Sequence, residues 1–192
     1  MTLGDVPVRG RMIGGISMYL ISIYFDDKTN DRIQQFIHQV AKKSGNTFML
    51  DGNVPPHITI SAFESRQEAK VIQILEQVAA ELKTGTIQWV TVGMFLPYVI
   101  YLAPVLNEYL HTLSQNIFDS LSVVEDIKIR PCYQPFSWIP HTTIGKKLSK
   151  EEMKIAFDVL QNQFGTFQGM VTKIGLAKTN PYEELCVVSC KH

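Results

Sequence analysis

The chain has 192 residues, 45% hydrophobic and 19% charged, enough for one substantial core or for two small lobes sharing an interface. Eighteen Lys and Arg balance eighteen Asp and Glu, so the net charge is zero. A neutral chain argues for a small ligand or a short RNA end over the wrapping of a long nucleic-acid duplex, which needs a strongly basic face.

Residues 1–12 read as a loose leader. The apolar run Ile13–Phe25 follows Arg9 and Arg11 in the manner of a secretory signal, but ends in Asp26-Asp27-Lys28 without a small-residue cleavage pattern. It is too short to span a bilayer and alternates like a strand, so Met18–Phe25 is predicted as the first strand, and the protein as soluble, with no membrane partner. Asn30 or Asp31 can cap a helix carrying Ile33, Phe36, Ile37, Val40 and Ala41 at helical spacing, ending near Gly45. A Pro-Pro turn leads into a strand over His57–Phe63. Ser65 is expected to cap a second helix, with Val71, Ile72, Leu75, Val78 and Leu82 on one face and a stop at Gly85. Strands follow over Ile87–Leu96 and Val99–Pro104.

A helix over Leu106–Leu121 comes next, then an irregular aromatic stretch, Arg130–Pro140, and a strand over His141–Lys146. Ser149-x-x-Glu152 is a capping box opening another helix, and strands over Thr166–Lys178 and Glu184–Cys190 close the chain. Cys132, Cys186 and Cys190 are an odd count without a CxxC pair, which points to reduced thiols in a cytoplasmic protein.

The string Pro56-His57-Ile58-Thr59-Ile60 returns, one letter changed, as Pro140-His141-Thr142-Thr143-Ile144, an offset of 84 residues from 57 to 141. The same offset brings the flanking helices into register, so the repeat is of whole units, β-α-β-α-β twice with a final extra strand. The units cover about 16–97 and 98–192 within one domain, around a shared cleft. Strand alternation places His57, Thr59, Ser61 and Phe63 on one face and Ile58, Ile60 and Ala62 on the other; in the second copy it groups His141, Thr143, Gly145 and Lys147. Each proline sets the path into its strand.

Two imidazoles suit attack on a phosphodiester. One takes the proton of the entering hydroxyl or water and the other gives a proton to the departing alkoxide, since imidazole titrates near neutral pH. Threonine hydroxyls can donate to the non-bridging oxygens as charge builds. No metal or cofactor is required, and zinc spacings such as HxxxH and CxxC are absent, as are GxSxG and a Gly-rich phosphate loop. Tyr133, Phe136 and Trp138 can stack on a base or plug the core; Tyr133 is the better candidate for a ligand contact, and Lys147 is expected to meet a phosphate, with Lys146 and Lys150 solvated. His38 and His111 read as packing or surface residues.

The paired motifs His57-Ile-Thr-Ile and His141-Thr-Thr-Ile resemble the signature of the two-histidine (2H) phosphoesterase superfamily, whose bacterial members are labelled 2′-5′ RNA ligase-like or cyclic phosphodiesterases. Val92-Gly93-Met94-Phe95, Leu110-His111, Tyr133…Pro135…Trp138-x-Pro140-His141 and Ile174-Gly-Leu176 extend the resemblance over residues 16–190. It implies a bilobal α+β fold: two pseudo-symmetric lobes of antiparallel sheet with outer helices around a central cleft. It further implies hydrolysis of a 2′,3′-cyclic phosphate on a nucleotide or RNA end, or of a related cyclic or 2′-5′ linkage, with His57 and His141 catalytic and Thr59 and Thr143 binding the phosphate. A non-catalytic nucleotide-binding module of the same fold and a reversible 2′-5′ RNA ligase are the alternatives.

Overall fold

The structure, a computed structural model, describes residues 16–179 and 182–191; the leader over 1–12 and the terminal His192 lie outside them. The elements run β1 (Ser17–Phe25), α1 (Asp27–Ser44), a single turn α2 (Phe48–Asp51), β2 (His57–Ser65), α3 (Glu68–Glu81), β3 (Gly85–Phe95), β4 (Val99–Pro104), α4 (Glu108–Leu121), β5 (Lys128–Ile129), β6 (Thr142–Gly145), α5 (Lys150–Gln163), β7 (Phe167–Thr179) and β8 (Glu183–Ser189). Among the described residues no helix is long and apolar enough to cross a membrane.

Every ladder between these strands is antiparallel, in the order β5-β2-β1-β7-β3-β4-β6, with β8 also paired to β7. The six strands from β2 to β6 in this order form a palindrome. Exchanging β1 with β4, β2 with β6 and β3 with β7 returns the same order from the other end. Thr86 pairs with Met170, positions separated by the motif's own offset of 84, so the pseudo-twofold axis passes through that pair. The helices obey the same exchange: α1 packs on α5 and β6, and α4 packs on α3 and β2.

One face of the sheet builds the main core. In β1 the alternate residues Tyr19, Ile21, Ile23 and Phe25 join Ile33, Phe36 and Ile37 of α1 and Ile58 and Ile60 of β2. Each such buried side chain contributes roughly 1.5–3 kcal/mol relative to leaving it exposed. The other face carries Ser22 and Tyr24, which pair with Thr59 and His57 of β2.

Two helix starts differ from the sequence expectation. The carboxylate of Asp26, not Asn30 or Asp31, caps α1 by accepting the Thr29 N–H at 2.8 Å, and it also accepts the Met170 N–H of β7 at 3.0 Å. The cap therefore serves a tertiary tie, which local spacing does not reveal. Ser65 is the buried last residue of β2 rather than a helix cap: its hydroxyl donates to Asp126 and accepts from the Gln67 N–H. Asp126 also takes the Arg66 N–H and the Gln67 amide, closing the turn into α3 from 60 residues away. The capping box at Ser149 and Glu152 forms as expected, and Asn107 caps α4.

Candidate active site

Each HxT strand is bulged at the same place. Along β1 and β2, Ser22 pairs with Thr59 but Ile21 pairs with Ser61, leaving Ile60 over; along β4 and β6, Tyr101 pairs with Thr143 but Ile100 with Gly145, leaving Ile144 over. Ile60 and Ile144 are themselves 84 residues apart. A bulge resets the alternation of the strand beyond it. His57 and Thr59 therefore stay on the open face, while Ser61 and Phe63 turn into the core opposite Ile21 and Tyr19, against the simple alternation read from sequence. Gly145 likewise faces the core, where an added Cβ would meet Leu148 and Ile100. Lys147 leaves the strand with φ 55° and stacks its Nζ 4.3 Å from the ring centre of Phe48, away from the face of His141.

The two imidazoles are held identically. His57 Nδ1 lies 2.8 Å from the Pro55 carbonyl and His141 Nδ1 lies 2.9 Å from the Ile139 carbonyl, each two residues back. A carbonyl only accepts, so Nδ1 is the protonated nitrogen and Nε2, across the ring, is left to exchange protons. Both rings are half-buried, and burial lowers both from their ordinary value near 6.5; His141 falls to about 4. The charge of His57 opposes protonation of His141, which places the two rings near each other, and Lys146 acts in the same sense on both. Lys146, rather than Lys147, is the lysine whose charge reaches the imidazoles.

Aromatic rings brace the histidines. Tyr24, opposite His57, lies 6.3 Å from it between ring centres; Phe95 meets His141 edge-on at 4.8 Å and Tyr101 lies 5.3 Å away. Both tyrosines rest on a glycine of the next strand. A Cβ on Gly93 would sit 2.4–2.6 Å from the Tyr101 ring and hydroxyl, and one on Gly175 would sit 2.9 Å from the Tyr24 ring. Only a residue without a side chain permits such contact. Phe95, Val99 and Tyr101 form a small apolar cluster separate from the main core, so the His141 side of the cleft is aromatic. The His57 side is polar: the Thr59 and Ser22 hydroxyls are 3.3 Å apart. Burial pushes the Tyr133 phenol up to about 12, with a hydrogen bond to Thr59 acting the other way.

Trp138 is buried, and its indole N–H donates to the Thr59 carbonyl at 3.0 Å. The second motif's approach is thereby pinned to the first motif's strand. In the other half, Trp89 donates to the Thr142 hydroxyl at 3.1 Å. His57, Thr59, Tyr133 and Trp138 are thus one connected group, while His141 precedes, and Thr143 lies on, the equivalent strand β6, which is paired to β4. Ser22, Tyr24, Phe95 and Tyr101 escaped the sequence reading, although the alternation in β1 pointed to the first two. His38 is exposed, and His111 packs 4.6 Å from Phe136, a ring left 84% exposed and outside the aromatic bracing. Among the described residues no three His, Cys, Asp or Glu side chains gather as a metal ion would require.

Comparison with known proteins identifies the family and the fold. The chain is 28% identical over 150 residues to a curated protein of Geobacillus kaustophilus named "Putative phosphoesterase GK0864", covering 76% of this chain and 80% of that one. TT0787 of Thermus thermophilus superposes with a TM-score of 0.60 at 11% identity, over 91% of this chain and 100% of that one. E. coli LigT complexed with 3′-AMP superposes with a TM-score of 0.56 at 15% identity, over 92% and 99%. The sequence model of the 2′-5′ RNA ligase superfamily matches residues 26–183, and the chain belongs to that superfamily of two-histidine phosphoesterases.

Proposed function

We propose that the protein is a metal-independent phosphoesterase that opens a 2′,3′-cyclic phosphate on a nucleotide or RNA end, with His57 and His141 as acid and base and Thr59 and Thr143 as phosphate ligands. One observation carries the reading: both imidazoles spend Nδ1 on a carbonyl two residues back and keep Nε2 for substrate. In the reaction, one neutral Nε2 takes a proton from water as its oxygen bonds to phosphorus. The other, protonated, gives its proton to the ribose oxygen as the P–O bond of the ring breaks, and a phosphate monoester is left. Both rings are biased to the neutral form in the free protein. The bound phosphate anion, an opposite charge at close range, restores protonation of one of them. Lys146 and the threonine hydroxyls meet the charge that grows on the non-bridging oxygens.

The 3′-AMP held by E. coli LigT supports a small nucleotide as ligand. The three free thiols suit a cytoplasmic setting. The test is turnover of 2′,3′-cyclic nucleotides in excess EDTA, followed by phosphorus NMR. Conversion to a 2′- or 3′-monophosphate is expected. No consumption, or consumption abolished by EDTA, overturns the reading.

A further inference from the structure

The floor of the cleft does not end at His57. His57, Tyr24 and Lys173 stand abreast on β2, β1 and β7, and Thr59, Ser22 and Gly175 form the next row. Directly paired residues share a face, so Lys173 projects from the histidine's side of the sheet, two strand spacings or about 10 Å away. A pocket of about 300 Å³ opens there, lined by Tyr24, Pro55, Asp27, Asn30, Lys173 and Glu184. Its wall includes Pro55, whose carbonyl orients His57. At the small end of ligand pockets, it suits a single ring system rather than a longer chain.

Its chemistry narrows the occupant. Two carboxylates and one ammonium line it together with the apolar Phe25 and Val187, so a second phosphate is disfavoured by charge. Carboxylates only accept hydrogen bonds, and the Asn30 amide offers both a donor and an acceptor. Tyr24 supplies an aromatic floor, held down by Gly175. A neutral planar group rich in N–H donors fits this set; a ring presenting only carbonyl oxygens to the carboxylates does not.

We propose that this pocket is the nucleobase subsite of the cleft, and that it selects bases bearing an exocyclic amine, with Asp27 and Glu184 accepting from the amine and Lys173 donating to a ring acceptor. The proposal rests on the phosphoesterase reading for the phosphate's place between the histidines. Cytosine and uracil are the sharpest pair, because the exocyclic group changes from an amine donor to a carbonyl acceptor and the neighbouring ring nitrogen from an acceptor to an N–H donor.

The test is calorimetric binding of cytidine 3′-phosphate, uridine 3′-phosphate and inorganic phosphate to the full chain and to Asp27→Ala, Glu184→Ala and Lys173→Ala. It is paired with kcat/KM on the two corresponding 2′,3′-cyclic nucleotides. Wild type should favour cytidine about tenfold, the gain of one added hydrogen bond and the loss of one repulsive contact. The carboxylate variants should erase that preference and Lys173→Ala should weaken both nucleotides, all with phosphate affinity unchanged. Equal binding of the two nucleotides by wild type, no binding of either, or variants that weaken inorganic phosphate equally, overturns the subsite. Turnover without base preference sinks the subsite alone; base preference in binding without turnover sinks the phosphoesterase reading alone.

Discussion

Burial of His141 holds its imidazole at about 4, with the Ile139 carbonyl opposing and the charges of His57 and Lys146 assisting. His57 is lowered for the same leading reason. Lowered values have a definite sign in catalysis. At pH 8 both rings are neutral and no acid is present. As the pH falls, one proton enters the pair and the acid–base state becomes populated; a second proton then removes the base. The kcat/KM profile should therefore be a bell whose maximum lies below 6.5, the ordinary imidazole value. A maximum above pH 7 in the steady-state profile would show that burial does not govern these groups. The same residues explain why letters alone favour the wrong lysine: Lys147 shares the parity of His141, but a positive φ turns it onto Phe48, and Lys146 is the one felt by the rings.

At the scale of elements, the HxT strands work because they are bulged and braced. The bulge at Ile60 returns Ser61 and Phe63 to the core while His57 and Thr59 stay in the cleft, and Ile144 does the same for Gly145. Period-two alternation, which is all that one strand displays, cannot show a bulge that exists only in register with a partner strand. The cap from Asp126 to the start of α3 was hidden for the same reason, being a contact across 60 positions. Local signals were legible: the buried stripe of α1, the capping box of α5 and the strand identity of β1 follow from neighbouring letters. The hairpin of β3 and β4 carries a testable consequence. Gly93→Ala places a methyl inside the Tyr101 ring, which must move, costing about 1–3 kcal/mol by overpacking. Because Tyr101 and Phe95 support His141, kcat should fall as well. Gly165→Ala, with nothing within 4 Å of the added carbon, should leave both denaturant midpoint and kcat unchanged. A stable, fully active Gly93→Ala protein would remove the aromatic brace from the account.

Across the whole molecule, a symmetric frame carries an asymmetric lining. The palindromic strand order and the Thr86–Met170 pair on the axis put equivalent histidines on β2 and at the start of β6. The duplicated motif made that pairing readable in the sequence, because two copies with one offset imply one axis. The lining was less legible, since Ser22, Tyr24, Phe95 and Tyr101 come from strands that carry no motif. Aromatic packing beside His141 and hydroxyls beside His57 make the two ends of the cleft different. The proposed reaction would then give a substrate one preferred direction, which interchangeable halves would not. Trp138 ties the halves by bonding the Thr59 carbonyl, and in the proposed reaction the two imidazoles act on one phosphate as a unit.

That joint action is the central claim, and the most direct measurement is kcat on a 2′,3′-cyclic nucleotide, with EDTA present, for wild type, His57→Ala, His141→Ala and the double variant. Each single variant should lose on the order of 10²–10⁴-fold. The double variant should lose little more than the worse single one, as groups acting in one transition state do. Near-wild-type turnover by either single variant, or losses that multiply in the double variant, would contradict the account.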